Sequence, residues 1–158
     1  MSEDTQKQRT ADGDWAERLQ QEIDRDMARI YSPRVLKLWR DPRNAGSLDE
    51  PDGYAAINGP CGDTMQIWLR VRDEVITDAT FWTDGCGTSV VCASMVTVMA
   101  KGRAPAQAVR LEADELLDEL GGLPEDDRHC ATLAVNTLRA SLATLRRSSG
   151  GSDSKEEK

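Results

Sequence analysis

Along residues 14–30 an apolar side chain returns every third or fourth position: Trp15, Leu19, Ile23, Met27 and Ile30. Acids and bases fill the places between, so the spacing predicts an amphipathic helix with one apolar stripe. Ser32-Pro33 offers an N-cap followed by proline at the first helical position. A second helix is expected there, turning Val35, Leu36 and Trp39 inward. It stops before Pro42, because the residue ahead of a proline avoids helical angles. Residues 41–53 combine Pro, Gly, Asn and Asp and read as a loop.

Three strand candidates follow. Residues 54–59 carry the weakest pattern. In residues 65–72, Met65, Ile67, Leu69 and Val71 alternate with Gln66, Trp68, Arg70 and Arg72, the mark of a half-buried strand. Asp73-Glu74 then turns the chain, and residues 75–83 return as an antiparallel partner. After Gly85-Cys86-Gly87 the period becomes helical. Val90, Val91, Ala93, Met95, Val98 and Met99 leave few polar faces, which predicts a buried central helix. Short helices are expected at about 104–110 and 112–120, ended by Gly121-Gly122. A last helix starts near Asp126 or Asp127, with Ala131, Ala134, Leu138, Leu142 and Leu145 on one face. The fold class is α+β: a small three-stranded antiparallel sheet packed against about five helices, with an extra N-terminal helix.

Composition narrows the function. The 158 residues fit one domain with tails, and a chain of this length needs no disulfide staple. Residues 1–13 and 148–158 are polar and are expected to be disordered tails around an extension helix at 14–30 and a domain at 31–147. The net charge is −8 and the pI about 4.7. An acidic surface repels phosphate backbones and anionic membranes, so nucleic acid and membrane are not expected partners. No apolar run is long enough to span a bilayer, and the acid-rich first thirty residues lack a signal core. A cytoplasmic location is therefore expected. There, four cysteines argue for metal or redox chemistry over disulfides.

Three of those cysteines sit where the predicted structure changes type. Cys61 lies in Gly59-Pro60-Cys61-Gly62-Asp63, ahead of the alternating strand. Cys86 lies between a strand and the buried helix. Cys130 lies in the first turn of the last helix, beside the only histidine, His129. Thiolates are the ligands that iron–sulfur clusters prefer. The macrodipole at a helix N-terminus favours the thiolate of Cys86 and of Cys130, and the flanking glycines let backbone approach a bulky group. Each cysteine taken singly also reads as a small buried hydrophobe. Cys92, among Val91, Ala93 and Met95, is read that way outright. The separations of 25 and 44 residues include no close pair, so spacing by itself leaves a shared site open.

Five motifs in order carry a resemblance. They are Tyr31-Ser32, Asp41-Pro42-Arg43-Asn44-Ala45-Gly46-Ser47, Cys61-Gly62-Asp63-Thr64-Met65, Thr83-Asp84-Gly85-Cys86-Gly87-Thr88-Ser89 and His129-Cys130. Over residues 31–145 the chain resembles the IscU/NifU N-terminal family of iron–sulfur cluster assembly scaffolds. The resemblance implies a SufE/NifU-like α+β domain with a three-stranded antiparallel sheet. It implies a scaffold that builds a [2Fe–2S] cluster from iron and desulfurase-derived persulfide sulfur, then transfers it to apoproteins. Such a protein accepts persulfide on itself and is not an ordinary enzyme. The implied partners are a cysteine desulfurase and apo iron–sulfur acceptor proteins, and a homodimer is compatible with the sequence. Cys61, Cys86 and Cys130 would be thiolate ligands, Asp63 the aspartate that tunes release, and His129 an adjacent alternative ligand. The chain looks IscU-like within the family, because the SufU-type branch carries an insertion between Cys86 and Cys130 and lacks the histidine.

The chain departs from the family in three places. Before His129, Leu123-Pro124-Glu125-Asp126-Asp127 stands where bacterial members carry Leu-Pro-Pro-Val-Lys, a docking site for an Hsp70-type chaperone, so docking by that route is not expected. Cys92 replaces a small residue. About thirty extra residues precede Tyr31, and their stripe is expected to fold back on the domain. Two competing functions remain in view. One is a zinc-binding partner-interaction module of the same fold, with Zn2+ held tetrahedrally by three Cys and one Asp. The other is a cysteine nucleophile using Cys130 with His129, disfavoured because neighbours on a helix point about 100° apart.

Overall fold

The computed structural model describes residues 2–60 and 62–145, and of residues 2–13 it describes the backbone alone. Helices α1 (Ser2–Ile30) and α2 (Pro33–Arg40) lead into strands β1 (Gly53–Asn58), β2 (Thr64–Arg72) and β3 (Val75–Thr83). Helices α3 (Gly87–Ala100), α4 (Pro105–Ala108), α5 (Ala113–Leu120) and α6 (Arg128–Ala143) follow, with a 3-10 turn at Glu125–Asp127 ahead of α6. The expected α+β class and strand number both hold. The expected tail at 148–158 and the domain end at 147 lie outside the described residues.

The sheet is antiparallel in the order β1-β2-β3. Asp73 and Glu74 both take positive φ, 55° and 65°, which suits the tight primed turn that matches the twist of two strands. The register pairs Met65 with Thr83 and Ile67 with Phe81. Met65, Ile67 and Leu69 are fully buried on the face that α6 covers. Val71 is only half-buried, a correction to the alternation: the pairing shifts between Arg70 and Val71 and turns the strand end outward. The opposite face stays open and carries Tyr54, Trp68 and Trp82, with the Tyr54 and Trp68 rings 5.3 Å apart.

Helix α3 is the centre of the core, as its uniform apolarity predicts. Val91, Cys92, Ala93 and Val96 are completely buried. Cys92 is therefore core, and burial pushes its thiol far up, with the nearby Cys130 adding to the shift. Helix α6 lies along β1, β2 and α3 and buries Ala131, Ala134, Leu138 and Leu142. Its C-terminus clasps the sheet. The Ser141 hydroxyl donates to the Ile67 carbonyl at 3.1 Å, and Thr144 Oγ1 accepts the Tyr54 N–H at 2.8 Å.

The loop motif of residues 41–47 is a strap. Ser94 Oγ accepts the Arg43 N–H at 2.7 Å, and the Asn44 amide donates to Thr97 Oγ1 at 3.1 Å. Asn44 and Gly46 also exchange backbone hydrogen bonds with Phe81 at the outer edge of β3. Ser32 ties α2 to α5. Its side chain accepts the Val35 N–H as an N-cap and donates to the Leu120 carbonyl, a cap of the kind worth about 1 kcal/mol.

Three expectations are corrected at the N-terminus. The helical backbone reaches back to Ser2, through residues expected to form a tail; Ala, Gln, Lys, Arg and Glu there are good helix formers. In α2 the inward residues are Val35 and Leu38, while Trp39 is 37% exposed. The stripe of α1 does not fold back. Trp15 is 67%, Ile23 46% and Ile30 58% exposed, and among the described contacts α1 meets the rest of the chain chiefly at α2. An Asp24–Arg40 ion pair at 3.2 Å marks that junction. Helix α2 is short, and its own inward face is spent on α3, so it offers the stripe little apolar surface.

The stabilities of two variants separate core from stripe. Leu138→Ala is expected to cost about 2–5 kcal/mol, and Ile23→Ala to stay within about 0.5 kcal/mol. Urea denaturation followed by circular dichroism checks both. A loss at Ile23 as large as at Leu138 would show that the stripe is packed in solution.

Candidate metal-cluster site

Two turns and two helix starts meet at one end of the sheet. The first turn, residues 59–63, closes through Gly59 N–H to Asp63 C=O at 2.7 Å and Gly62 N–H to Gly59 C=O at 3.0 Å. Gly62 has φ 87°, a left-handed angle that glycine adopts freely. Cys61 lies inside this turn and outside the described residues. The second turn joins β3 to α3. Thr64 N–H donates to Asp84 Oδ1 at 2.8 Å, and the Thr83 hydroxyl donates to the Thr64 carbonyl at 2.8 Å. These bonds hold Asp63 beside Gly85.

The sequence-predicted residues Asp63, Cys86 and Cys130 come together around a hydroxyl that the pattern did not single out. Ser89, fully buried in the first turn of α3, donates to Asp63 Oδ2 at 3.2 Å. Its Oγ lies 3.4 Å from Cys130 Sγ and 3.8 Å from Cys86 Sγ. Thr88, also buried, lies 2.9 Å from Cys86 Sγ and 3.7 Å from Cys130 Sγ. A side chain at position 85 would force Ser89 and Asp63 to move. A Cβ there would stand 2.6 Å from Ser89 Oγ and 2.7 Å from Asp63 Oδ2. The signal for both hydroxyls was in the sequence: residues two and three places after an N-cap cysteine face back toward it.

The two described cysteines of the site, Cys86 and Cys130, differ. Cys86 is the N-cap of α3 and is exposed. Burial of its sulfur raises its thiol, but its contacts with the Thr88 hydroxyl and with the Ser89 backbone and hydroxyl together outweigh this, and the net position falls below the ordinary value. Cys130 is fully buried. Burial lifts its thiol above the ordinary value, against its hydrogen bonding with Ser89 and Thr88 and with help from the charge of Cys86.

His129 Nε2 lies 3.7 Å from Cys130 Sγ, nearer than the angular argument for adjacent residues allows. The buried, raised thiol of Cys130 is nonetheless the opposite of an activated nucleophile. Among the described residues no three His, Cys, Asp or Glu side chains stand close enough to grip a metal ion by themselves. The donor set suits a soft metal cargo in kind, with thiols and one carboxylate converging on a partly open edge.

Aromatic side chains border the site. The Trp39 ring lies over Gly87, where a Cβ would come within 2.2 Å of the indole. Tyr31 packs edge-on against Trp39 with centroids 5.4 Å apart, and its hydroxyl donates to Asp127 Oδ2 at 3.0 Å. One of the acids that departs from the family's docking segment thus anchors Tyr31, whose hydroxyl is raised by burial and then by Asp127. The cleft between α1 and α2, bounded by Asp24, Tyr31, Leu36 and Arg40, holds none of the candidate ligands.

Alkylation across pH tests the asymmetry of the thiols. Cys86 is expected to react with iodoacetamide at lower pH than Cys130, the gap closing as pH rises and Cys130 ionises. Thr88→Val removes the strongest bond to the Cys86 sulfur and should shift its reaction to higher pH. Peptide mass spectrometry reads each site separately, and equal profiles for the two cysteines would contradict the assignment.

The chain is similar to known proteins over most of its length. The family model of the NifU-like N terminal domain matches residues 30–150. The iron-sulfur cluster assembly scaffold protein IscU 1 of Archaeoglobus fulgidus is 36% identical over 129 residues, covering 81% of this chain and 84% of that protein. The IscU scaffold protein of Escherichia coli K12 is 36% identical over 118 residues, covering 72% and 91%. The crystal structure of the N-terminal part of a NifU-like protein from Brucella abortus is similar, with a TM-score of 0.57 and 25% identity, covering 73% of this chain and 93% of that one. With a matched span that takes in both helix-start cysteines and Asp63, this chain belongs to the NifU-like N-terminal domain family.

Proposed function

We propose that this chain is an iron–sulfur cluster assembly scaffold, which receives iron and sulfur, joins them as a [2Fe–2S] cluster and gives the cluster to apoproteins. The observation that carries this reading is the meeting of Asp63, Cys86 and Cys130 within 3.8 Å of the Ser89 hydroxyl. Three thiolates, from Cys61, Cys86 and Cys130, would hold the cluster with Asp63 as the fourth donor, and His129 stands near enough to Cys130 to replace one of them. The cluster is cargo. A carboxylate is a harder and weaker partner than thiolate for cluster iron, so one oxygen in the donor set favours release.

Cys86 is the natural first acceptor of sulfur from a cysteine desulfurase. It is exposed, and its thiol sits below the ordinary value. Its thiolate would attack the outer sulfur of the donor persulfide, and the donor's own thiolate would leave. Glu125 and Asp126 are exposed in the 3-10 turn ahead of α6, so a chaperone that recognises a basic residue there would not dock by that route. Reduced thiols of this kind persist in the cytoplasm, where we place the protein; among the described residues no helix is long and apolar enough to cross a membrane.

Anaerobic reconstitution with iron, cysteine and a desulfurase tests the reading. Visible charge-transfer absorption of a cluster should develop in the wild type and be lost in Cys86→Ala and Cys130→Ala. A zinc-holding module of the same fold would bind Zn2+ and develop no such absorption. Asp63→Ala should give a longer-lived cluster that transfers more slowly; decay and transfer rates equal to wild type would refute the role of the carboxylate.

A further inference from the structure

We propose that Ser89 is a positioning residue that aims the Asp63 carboxylate into the site, an inference that rests on the ligand reading above. A hydroxyl has one proton to donate. A buried serine or threonine in a helix commonly spends it on a nearby backbone carbonyl. Four of the buried helix hydroxyls described here do so: Ser94 donates to Arg43 C=O, Thr97 to Ser94 C=O, Thr137 to Leu133 C=O and Ser141 to Ile67 C=O, while Thr88 lies against the Cys86 and Cys130 sulfurs. Ser89, 0% exposed, instead donates to a carboxylate twenty-six residues earlier in the chain. It does so from a place that also touches the Cys86 and Cys130 thiols.

The surroundings leave Asp63 few other anchors. Its backbone is fixed by the Gly59 N–H, and its Oδ2 passes through the space that a side chain at position 85 would fill. The Ser89 bond therefore sets which way the carboxylate points, toward Cys86 and Cys130 and not out along the loop. Partners that orient a metal ligand in this way are commonly worth about 10–100-fold in metal affinity.

Cobalt(II) is the probe, because thiolate-to-cobalt charge-transfer bands count the sulfur ligands while the ligand-field bands report their geometry. The full-length chain is titrated with Co2+ alone, without iron, sulfide or desulfurase. Ser89→Ala is expected to weaken Co2+ about 10–100-fold and alter the ligand-field bands, with the charge-transfer intensity per bound metal unchanged. Ser89→Thr, which keeps the hydroxyl, should restore most of the affinity; it also serves if the alanine variant does not fold, since loss of binding in a folded Ser89→Thr chain would count against the proposal. If Ser89 acts through Asp63, the double variant Ser89→Ala/Asp63→Ala binds no more weakly than Asp63→Ala alone. Unchanged affinity in Ser89→Ala, or losses that multiply in the double variant, would overturn the inference. A wild-type chain without any thiolate–cobalt band would overturn the ligand reading itself, a result distinct from failure at Ser89 only.

Discussion

The site depends on the way the start of β2 is fastened to the end of β3. Thr64 is held from both sides, its N–H by the Asp84 carboxylate and its carbonyl by the Thr83 hydroxyl and the Asp84 N–H. The turn that carries Cys61 and Asp63 ends at one of these residues, and the turn that carries Gly85 and Cys86 begins at the other. Register is set from the far end of the hairpin by the two positive-φ residues Asp73 and Glu74. A one-residue slip would invert every side chain of the sheet and part the carboxylate from the thiols. Cys130 arrives independently, on a helix packed against α3 and the sheet. The convergence is therefore a property of the whole core and not of a local motif.

Within that frame the site is built from small groups. Glycine at 85 leaves room for the carboxylate, glycine at 87 leaves room for an indole, and the hydroxyls of Thr88 and Ser89 lie between the sulfurs. One thiol is exposed and lowered, and its neighbour is buried and raised, so the two are unequal before any cargo arrives.

Much of the fold was legible because its signals are local. The alternation of residues 65–72, the Ser32-Pro33 start and the apolar content of α3 each depend on a few neighbouring residues, and each element formed where it was expected. The misses are tertiary. Trp39 fits an inward position of α2 by period, but the open space at Gly87 let the indole lie outside the core. The stripe of α1 has the spacing of a packed helix, yet the neighbouring α2 spends its apolar face on α3 and leaves little to receive it. At the site, the thiols and the carboxylate were identified by type and by resemblance. Ser89 was passed over because a serine early in a helix has many ordinary uses, and only the fold shows which acceptor its proton serves.

The strap of residues 41–47 has a consequence for how this molecule meets others. By exchanging main-chain bonds with Phe81, it occupies part of the flank of β3 that would otherwise template another strand. At β1, the Thr144 side chain takes up the main-chain groups of Tyr54. A sheet of three strands with its flanks engaged in this way resists growth by strand addition, the route by which small sheets aggregate. Recognition is left to helices, turns and the aromatic sheet face, and the cluster edge stays clear of β-type association.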